Sequence, residues 1–264
     1  MSLQDIAMAV VDAIMATIPR RIPDKGALQR CKIISHRGEH DNVNVMENTL
    51  QAYECARNVG VWGIEGDIRW TSDLVPVICH DPSPQRVFGY STPLQSLSFS
   101  ELRAAVPLIP SLEEVIHEFG GNTHLMLEIK EENWPDPTRQ RAVIRELLSH
   151  LQPTADYHFL ALDPALFSRL DFAPTDSFLP VAEINVSALS QKALAGGYTG
   201  LAGHYLLLSN RLKKRHAALG QRLGSGFPRS RNCLFRELNR GIEWIFTNDA
   251  VKLQGIRDHY LRLQ

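Results

Sequence analysis

The chain has 264 residues, 44% of them apolar and 22% charged, which suits one large α/β domain, since barrels of this class run to roughly 250 residues. Its formal net charge of -1 supplies no long-range field for nucleic acid or anionic lipid. Four cysteines without CxxC or metal-ligand spacing argue against a disulfide framework and for a reducing, cytoplasmic setting.

The N-terminal "SLQDIAMAVVDAIMATIP" lacks a basic leader region and carries Asp5 and Asp12 among its apolar residues, so it reads as an amphipathic helix and not a signal peptide. Ile6, Val10, Ile14 and Ile18 form one stripe that is expected to close or flank the domain. No run reaches the roughly 20 apolar residues of a membrane span, so stable membrane insertion is not expected. Beyond this helix, short runs rich in Ile, Val and Leu predict strands at 31–36, 62–69, 75–80, 123–130, 157–162, 178–184, 198–203, 221–225 and 242–247. Helix-period segments between them include 48–59, 111–119, 138–151 and 232–240.

Nine strands are one too many for an eightfold barrel. The connection "WTSDL" between the second and third is too short for a parallel crossover, so 75–80 is predicted to fold back antiparallel. Eight parallel strands remain, and a (β/α)8 TIM barrel over residues 1–264 is the preferred fold, with an open doubly wound sheet as the alternative.

Alternation within the second strand, "WGIEGDIRW", sorts Ile64, Gly66 and Ile68 onto one face and Glu65 and Asp67 onto the other. The apolar face suits packing against helices, so both carboxylates are predicted to point into the barrel. In "THLMLEIK" the same parity turns Met126, Glu128 and Lys130 inward. Unpaired anions in a confined interior are costly, and three carboxylates offer hard oxygen ligands for Mg²⁺ or Ca²⁺. The competing reading is an ion network with Arg37 and Lys130.

His36 ends the first strand and His80 ends the antiparallel excursion, at the barrel end where active sites assemble. Two imidazoles beside a polarised electrophile can divide base and acid duties, while Arg37 and Lys130 offer positive charge to phosphate oxygens. Asp81 either orients His80 or caps a turn, and Asn48 and Thr49 read as helix caps. Arg86, Phe88, Tyr90 and Trp134 lie in loops near the predicted mouth, where their rings either receive an apolar or quaternary ammonium alcohol or pack the loops, the latter being preferred. His204 ends a later strand, where a structural role is preferred.

Taken together, "HRG" (36–38), "ENT" (47–49), "EGD" (65–67), "TSDLVPVICHD" (71–81), "LEIK" (127–130) and "IFTND" (245–249) resemble the glycerophosphodiester phosphodiesterase family, among the phosphatidylinositol phospholipase C-like phosphodiesterase barrels. The resemblance implies catalytic histidines at His36 and His80, metal ligands at Glu65, Asp67 and Glu128, and phosphate contacts from Arg37 and Lys130. It implies hydrolysis of small glycerophosphodiesters, such as glycerophosphocholine and glycerophosphoethanolamine, to glycerol 3-phosphate and an alcohol. The segment 39–46 departs from the family pattern, with Met46 where a Pro is common. So does "RLGSGFPRSRN" (222–232), which replaces a Trp-Thr-x-Asn pattern; Trp244 is expected to restore apolar surface there. Rival readings are a lysophospholipase D or sphingomyelinase D-like enzyme releasing a cyclic phosphate, a non-catalytic glycerophosphodiester-binding barrel, and a Schiff-base aldolase. The last is disfavoured because Glu128 keeps Lys130 charged. The oligomeric state is not legible.

Overall fold

The computed structural model describes residues 11–264 of the chain. All nine predicted strands form: β1 (Lys32–His36), β2 (Gly63–Trp70), β3 (Pro76–Ile78), β4 (His124–Ile129), β5 (Tyr157–Ala161), β6 (Phe178–Ala182), β7 (Gly200–His204), β8 (Arg222–Gly226) and β9 (Trp244–Thr247). Every neighbouring pair is parallel except β2 with β3, and β1 joins both β2 and β9, so eight strands close into a (β/α)8 barrel. The excursion folds back as its short connection requires, with Ile68 opposite Ile78 and Trp70 opposite Pro76. Its return segment builds a small core of its own from Val77, Cys79, Leu94, Leu97, Leu102, Val106 and Ile109.

Strand parity divides the main core into two layers. Ile64, Ile68, Leu125, Leu127 and Ile129 pack outward against the helices. Ile34, Met126, Leu160, Leu179, Ala202, Trp244 and Phe246 fill the barrel interior. The helices begin where their sequences supply caps: Thr49 caps Leu50–Asn58, Ser111 forms a capping box with Glu114 ahead of Leu112–Phe119, and Asp136 precedes Pro137 at the start of Pro137–Leu147.

Of the N-terminal stripe, Ile6 and Val10 lie outside the described residues. Residues 11–17 are helical, but Ile14 and Ile18 remain exposed, contrary to the expected apolar packing. Polar contacts hold the segment instead: Tyr205 donates to Asp12 Oδ1 at 2.5 Å and Asn232 Nδ2 donates to Ala16 O at 2.7 Å.

The closed end of the barrel contains two buried imidazoles, His124 stacked on Trp62 and His158 edge-to-face with Trp244. His124 Nδ1 donates to Ala155 O at 2.9 Å, which leaves its Nε2 to accept from His158 Nδ1 at 2.8 Å. Burial pushes His124 down to about 4, and burial together with the neighbouring His124 pushes His158 down to about 3. Both are neutral when folded and titrate near 6.5 when unfolded, so the unfolded chain binds more protons in between and stability falls as the pH drops below about 6.5. Each imidazole is expected to cost about 3 kcal/mol by pH 4.5. Urea unfolding at pH 7 and 4.5 checks this, and a His158→Leu variant with an undiminished loss would sink it.

Candidate active site

At the open end, strand register brings the predicted residues together. His36 pairs with Glu65 across β1 and β2, and Asp67 pairs with Glu128 across β2 and β4. Carboxylate oxygens of Glu65, Asp67 and Glu128 all lie within 4.8 Å of one another, and all three residues are buried. Two cations answer them. Lys130 Nζ is 2.8 Å from Asp67 Oδ1 and 2.5 Å from Glu128 Oε1, and Arg37 Nε is 3.3 Å from Asp67 Oδ2. Among the described residues, Glu65 receives only the Arg37 backbone N–H, on Oε2 at 3.1 Å, and its Oε1 is buried without a hydrogen-bond partner.

This arrangement fits a hard divalent cation better than a closed ion network. Three carboxylates against two fixed cations leave a negative charge over, and the leftover acceptor is an oxygen. Burial, then repulsion from Asp67 and Glu128, holds Glu65 well above the usual carboxylate range. Burial also raises Glu128, with Asp67 adding to it. For Asp67 burial is outweighed by Lys130 and Arg37, which hold it below that range.

The two histidines flank the trio with different partners. His36 Nδ1 is 2.6 Å from Asn248 Oδ1, which places the proton on Nδ1 and leaves Nε2 as an acceptor, 3.8 Å from Glu65 Oε2. Burial and the neighbouring Arg37 push His36 down to about 4. His80 Nδ1 is 2.7 Å from Asp81 Oδ1, so Asp81 orients His80. Burial lowers His80 too, against the opposing pull of Asp67 and Asp81.

Several residues of the site were not assigned from sequence. Asn48, read there as a cap, donates through Nδ2 to Asp67 Oδ2 at 2.7 Å and accepts from Tyr53 Oη at 2.9 Å. Only Thr49 acts as the cap. Glu47 receives Arg37 at 3.0 Å, Asn42 at 2.7 Å and Arg86 at 2.6 Å. Its carboxyl falls to about 2, because those hydrogen bonds and charges outweigh burial. Arg86 also donates to Asp81 Oδ2 at 2.6 Å, linking the His80 orienter to the "ENT" segment. The backbone at this turn is unusual, with φ of 58° at Arg37 and 57° at Asn48. Gly38 is required, since at φ 78° a Cβ would lie 2.7 Å from Ala52 Cβ. Gly66 opens a gap of another kind: a Cβ there would meet Tyr53 Oη at 2.2 Å.

Two aromatic expectations resolve differently. Trp134 is buried against Trp70 beneath Arg169, so it packs the loops. Trp244 opens β9 at the closed end beside Trp62 and His158, so it cannot replace the missing aromatic wall at the mouth. Phe227 stands there instead, just after β8, with its ring centroid 5.3 Å from that of His36 in an edge-to-face contact. On β8 the inward positions nearer the mouth are Gly224 and Gly226, with Arg222 over Trp244 at the closed end, and Phe246 fills the space beside Gly224.

The model of the Glycerophosphoryl diester phosphodiesterase family matches residues 36–173, more than half of the chain. The chain belongs to this family. Its relatives include glycerophosphodiester phosphodiesterase 1 of Mus musculus, 36% identical over 117 residues, which are 37% of this chain and 34% of the mouse protein. A glycerophosphodiester phosphodiesterase of Caldanaerobacter subterraneus is 32% identical over 110 residues, 37% of this chain and 44% of that one. The aligned part thus spans about a third of the mouse relative. Among solved structures, the glycerophosphodiester phosphodiesterase of Thermotoga maritima superposes with a TM-score of 0.71 at 18% identity, covering 86% of this chain and 98% of that one. An Oleispira antarctica phosphodiesterase in complex with the product sn-glycerol-3-phosphate gives 0.72 at 22%, covering 88% and 99%. At these identities the structural likeness speaks for the shared barrel. Among the described residues, no helix is long and apolar enough to cross a membrane.

Proposed function

We propose that this family member is a divalent-cation-dependent phosphodiesterase that hydrolyses glycerophosphodiesters to glycerol 3-phosphate and an alcohol, with His36 and His80 as its catalytic pair. The observation carrying the reading is the partnerless Glu65 Oε1, buried within a cluster of three carboxylates, on a side chain whose Oε2 lies 3.8 Å from the unprotonated Nε2 of His36. Glu65, Asp67 and Glu128 would hold Mg²⁺ or Ca²⁺, which when bound supplies Lewis-acid polarisation of a phosphoryl oxygen. Membership of the family and the product held by the Oleispira relative support the same substrate class.

The roles of the chain's own residues follow from their partners. His36, neutral at pH 7, accepts through Nε2 the proton of the attacking water as its oxygen bonds to phosphorus. His80, oriented by Asp81, returns a proton to the departing alkoxide as the other P–O bond breaks, with Asp67 and Asp81 offsetting part of the burial that lowers it. Arg37, held by Asp67 and Glu47, adds fixed positive charge beside the phosphate, and Lys130 neutralises Asp67 and Glu128 while keeping an N–H for a phosphate oxygen.

The testing experiment is release of glycerol 3-phosphate from glycerophosphocholine and glycerophosphoethanolamine, with Mg²⁺, Ca²⁺ or chelator. Release with metal and none with chelator is the expected result. No release from folded, metal-loaded protein overturns the proposal. Asp81→Asn keeps the shape of the His80 partner but removes its charge, and is expected to lower kcat at least tenfold, within the roughly 10²–10⁴ that acid–base groups supply. An unchanged kcat would remove Asp81 from the mechanism.

A further inference from the structure

The near-neutral total conceals an uneven spread of charge. Residues 204–242 carry nine Lys and Arg against a single acid, Glu237, although the whole chain has a net charge of -1. Part of this excess converges on an open cleft of about 680 Å³ among the outer elements of the barrel, which shares no residue with the candidate active site. Its walls are Arg20 and Arg21 from the N-terminal segment, Ser209 and Asn210 at the start of the Asn210–Ala217 helix, and Arg236 and Arg240 at the end of the Arg231–Asn239 helix.

The cleft does not balance this charge from within. Arg236 and Arg240 both donate to the buried Glu237, so two cations share one carboxylate. Burial holds Arg240 below its ordinary value; Glu237 opposes this and the neighbouring Arg236 reinforces it. Arg21 meets neutral groups, its Nε donating to Asn239 Oδ1 at 3.2 Å and its carbonyl accepting from Asn239 Nδ2 at 2.8 Å. Among the described residues, neither Arg20 nor Arg21 has a carboxylate partner, and Arg20 Nε is buried without any hydrogen-bond acceptor. A buried guanidinium N–H left in that state is costly, and an oxygen placed in the cleft would relieve it. The Asn210–Ala217 helix also opens here. Its Ser209 cap satisfies the Leu212 N–H, which leaves the other N–H groups of the first turn, and the positive end of the helix dipole, at the cleft.

We propose that this cleft is a second anion site, which binds the phosphate monoester group of a phosphorylated ligand between Arg20, Arg21 and the start of the Asn210–Ala217 helix. The charge left over comes from Arg20, from Arg21 and from the surplus of Arg236 and Arg240 over Glu237. A phosphate monoester brings a charge of about -1.5 to -2 at pH 7 and three strong acceptor oxygens, which match forked guanidinium donors and first-turn N–H groups together. A carboxylate brings one charge and two oxygens. The cleft has room beside the phosphate for the rest of the ligand. This inference stands independently of the phosphodiesterase reading, because the two sites have no residue in common.

The test offers inorganic phosphate to the Mg²⁺-loaded full chain and reads, by mass spectrometry, how fast phenylglyoxal modifies each arginine. Saturating phosphate is expected to slow modification of Arg20 and Arg21 roughly tenfold, as an occupancy of about nine-tenths requires, while the exposed Arg139 and Arg145 react as before. Protection of Arg37 is assigned to the candidate active site and does not count. Calorimetry should find one phosphate fewer per chain in the double variant Arg20→Gln with Arg21→Gln, whose thermal unfolding and turnover match wild type. An Arg139→Gln with Arg145→Gln control should keep the full count. A second arm separates the sources of the phosphate. Protection by free phosphate supports a soluble phosphorylated compound, and protection only by phosphatidic acid in phosphatidylcholine vesicles supports a lipid headgroup. Three footprinting results overturn the inference: Arg20 and Arg21 reactive under both conditions, protected no more than Arg139 and Arg145, or unreactive before phosphate is added because the chain itself fills the cleft. An unchanged phosphate count in the double variant overturns it as well. So does protection by polyuridylate alone, which would make this flank a nucleic-acid surface.

Discussion

Replacing Glu65 with Gln is expected to reduce metal-dependent turnover by about 10³-fold or more, the scale of several kcal/mol of lost charge stabilisation, while making the metal-free protein more stable. The two effects share a cause. Gln keeps the acceptor that binds the Arg37 N–H but removes an anion from beside Asp67 and Glu128. Glu65 is held well above the usual carboxylate range by burial and those neighbours, so its ionisation is paid for out of folding stability. Such a group binds its proton more tightly folded than unfolded, so wild-type stability declines as the pH rises above about 4.5. The Gln variant lacks that decline and should be more stable at pH 8 in chelator, by up to about 4 kcal/mol if it matches the gain seen when buried ion pairs are replaced by uncharged residues. Adding Mg²⁺ or Ca²⁺ should reverse the order, because wild type alone gains binding energy. Denaturant melts with and without metal measure this, and a less stable metal-free variant would contradict the uncompensated-anion account.

Lys130→Met should have the opposite signature. Lys130 bridges Asp67 and Glu128, and those carboxylates raise its pKa despite burial, so the ammonium is charged in the fold. Removing one member of a buried ion pair typically costs about 3–5 kcal/mol, and here two acids lose their partner at once. The loss should grow from acid to neutral pH as the stranded carboxylates are forced to ionise or retain protons, and bound divalent cation should recover part of it. Thermal unfolding at pH 5 and 8, with metal and with chelator, separates the contributions. A variant as stable as wild type in chelator at pH 8 would mean that Lys130 is not what compensates the trio.

Barrel and trio were both legible because they rest on local parity. A parallel strand buried on both faces must place Glu65 and Asp67 opposite Ile64 and Ile68, and the structure separates them that way. The short connection at 71–75 likewise forced β3 to fold back. Asn48 was less legible because its role depends on a left-handed turn that swings it toward Asp67 and leaves the cap to Thr49. Asn248 lies far along the chain from His36 and meets it only when β9 closes beside β1. Trp244 was misplaced because it sits near the "IFTND" motif in sequence, whereas three residues of strand span about 10 Å, enough to move it from the mouth into the lower barrel.

The gap at Gly66 bears on how such a protein can diverge. Tyr53 belongs to a helix outside the barrel, yet its hydroxyl occupies the place of a missing side chain in the wall and steadies Asn48 against Asp67. The outer layer is therefore tied to the carboxylates through Tyr53 and Asn48, over a glycine on the outward face of β2. Loops around the rim can be exchanged without disturbing it, so substrate range is free to drift. The Leu50–Asn58 helix is not: a shift of one turn, or any side chain larger than hydrogen at position 66, would be transmitted through Tyr53 and Asn48 to Asp67.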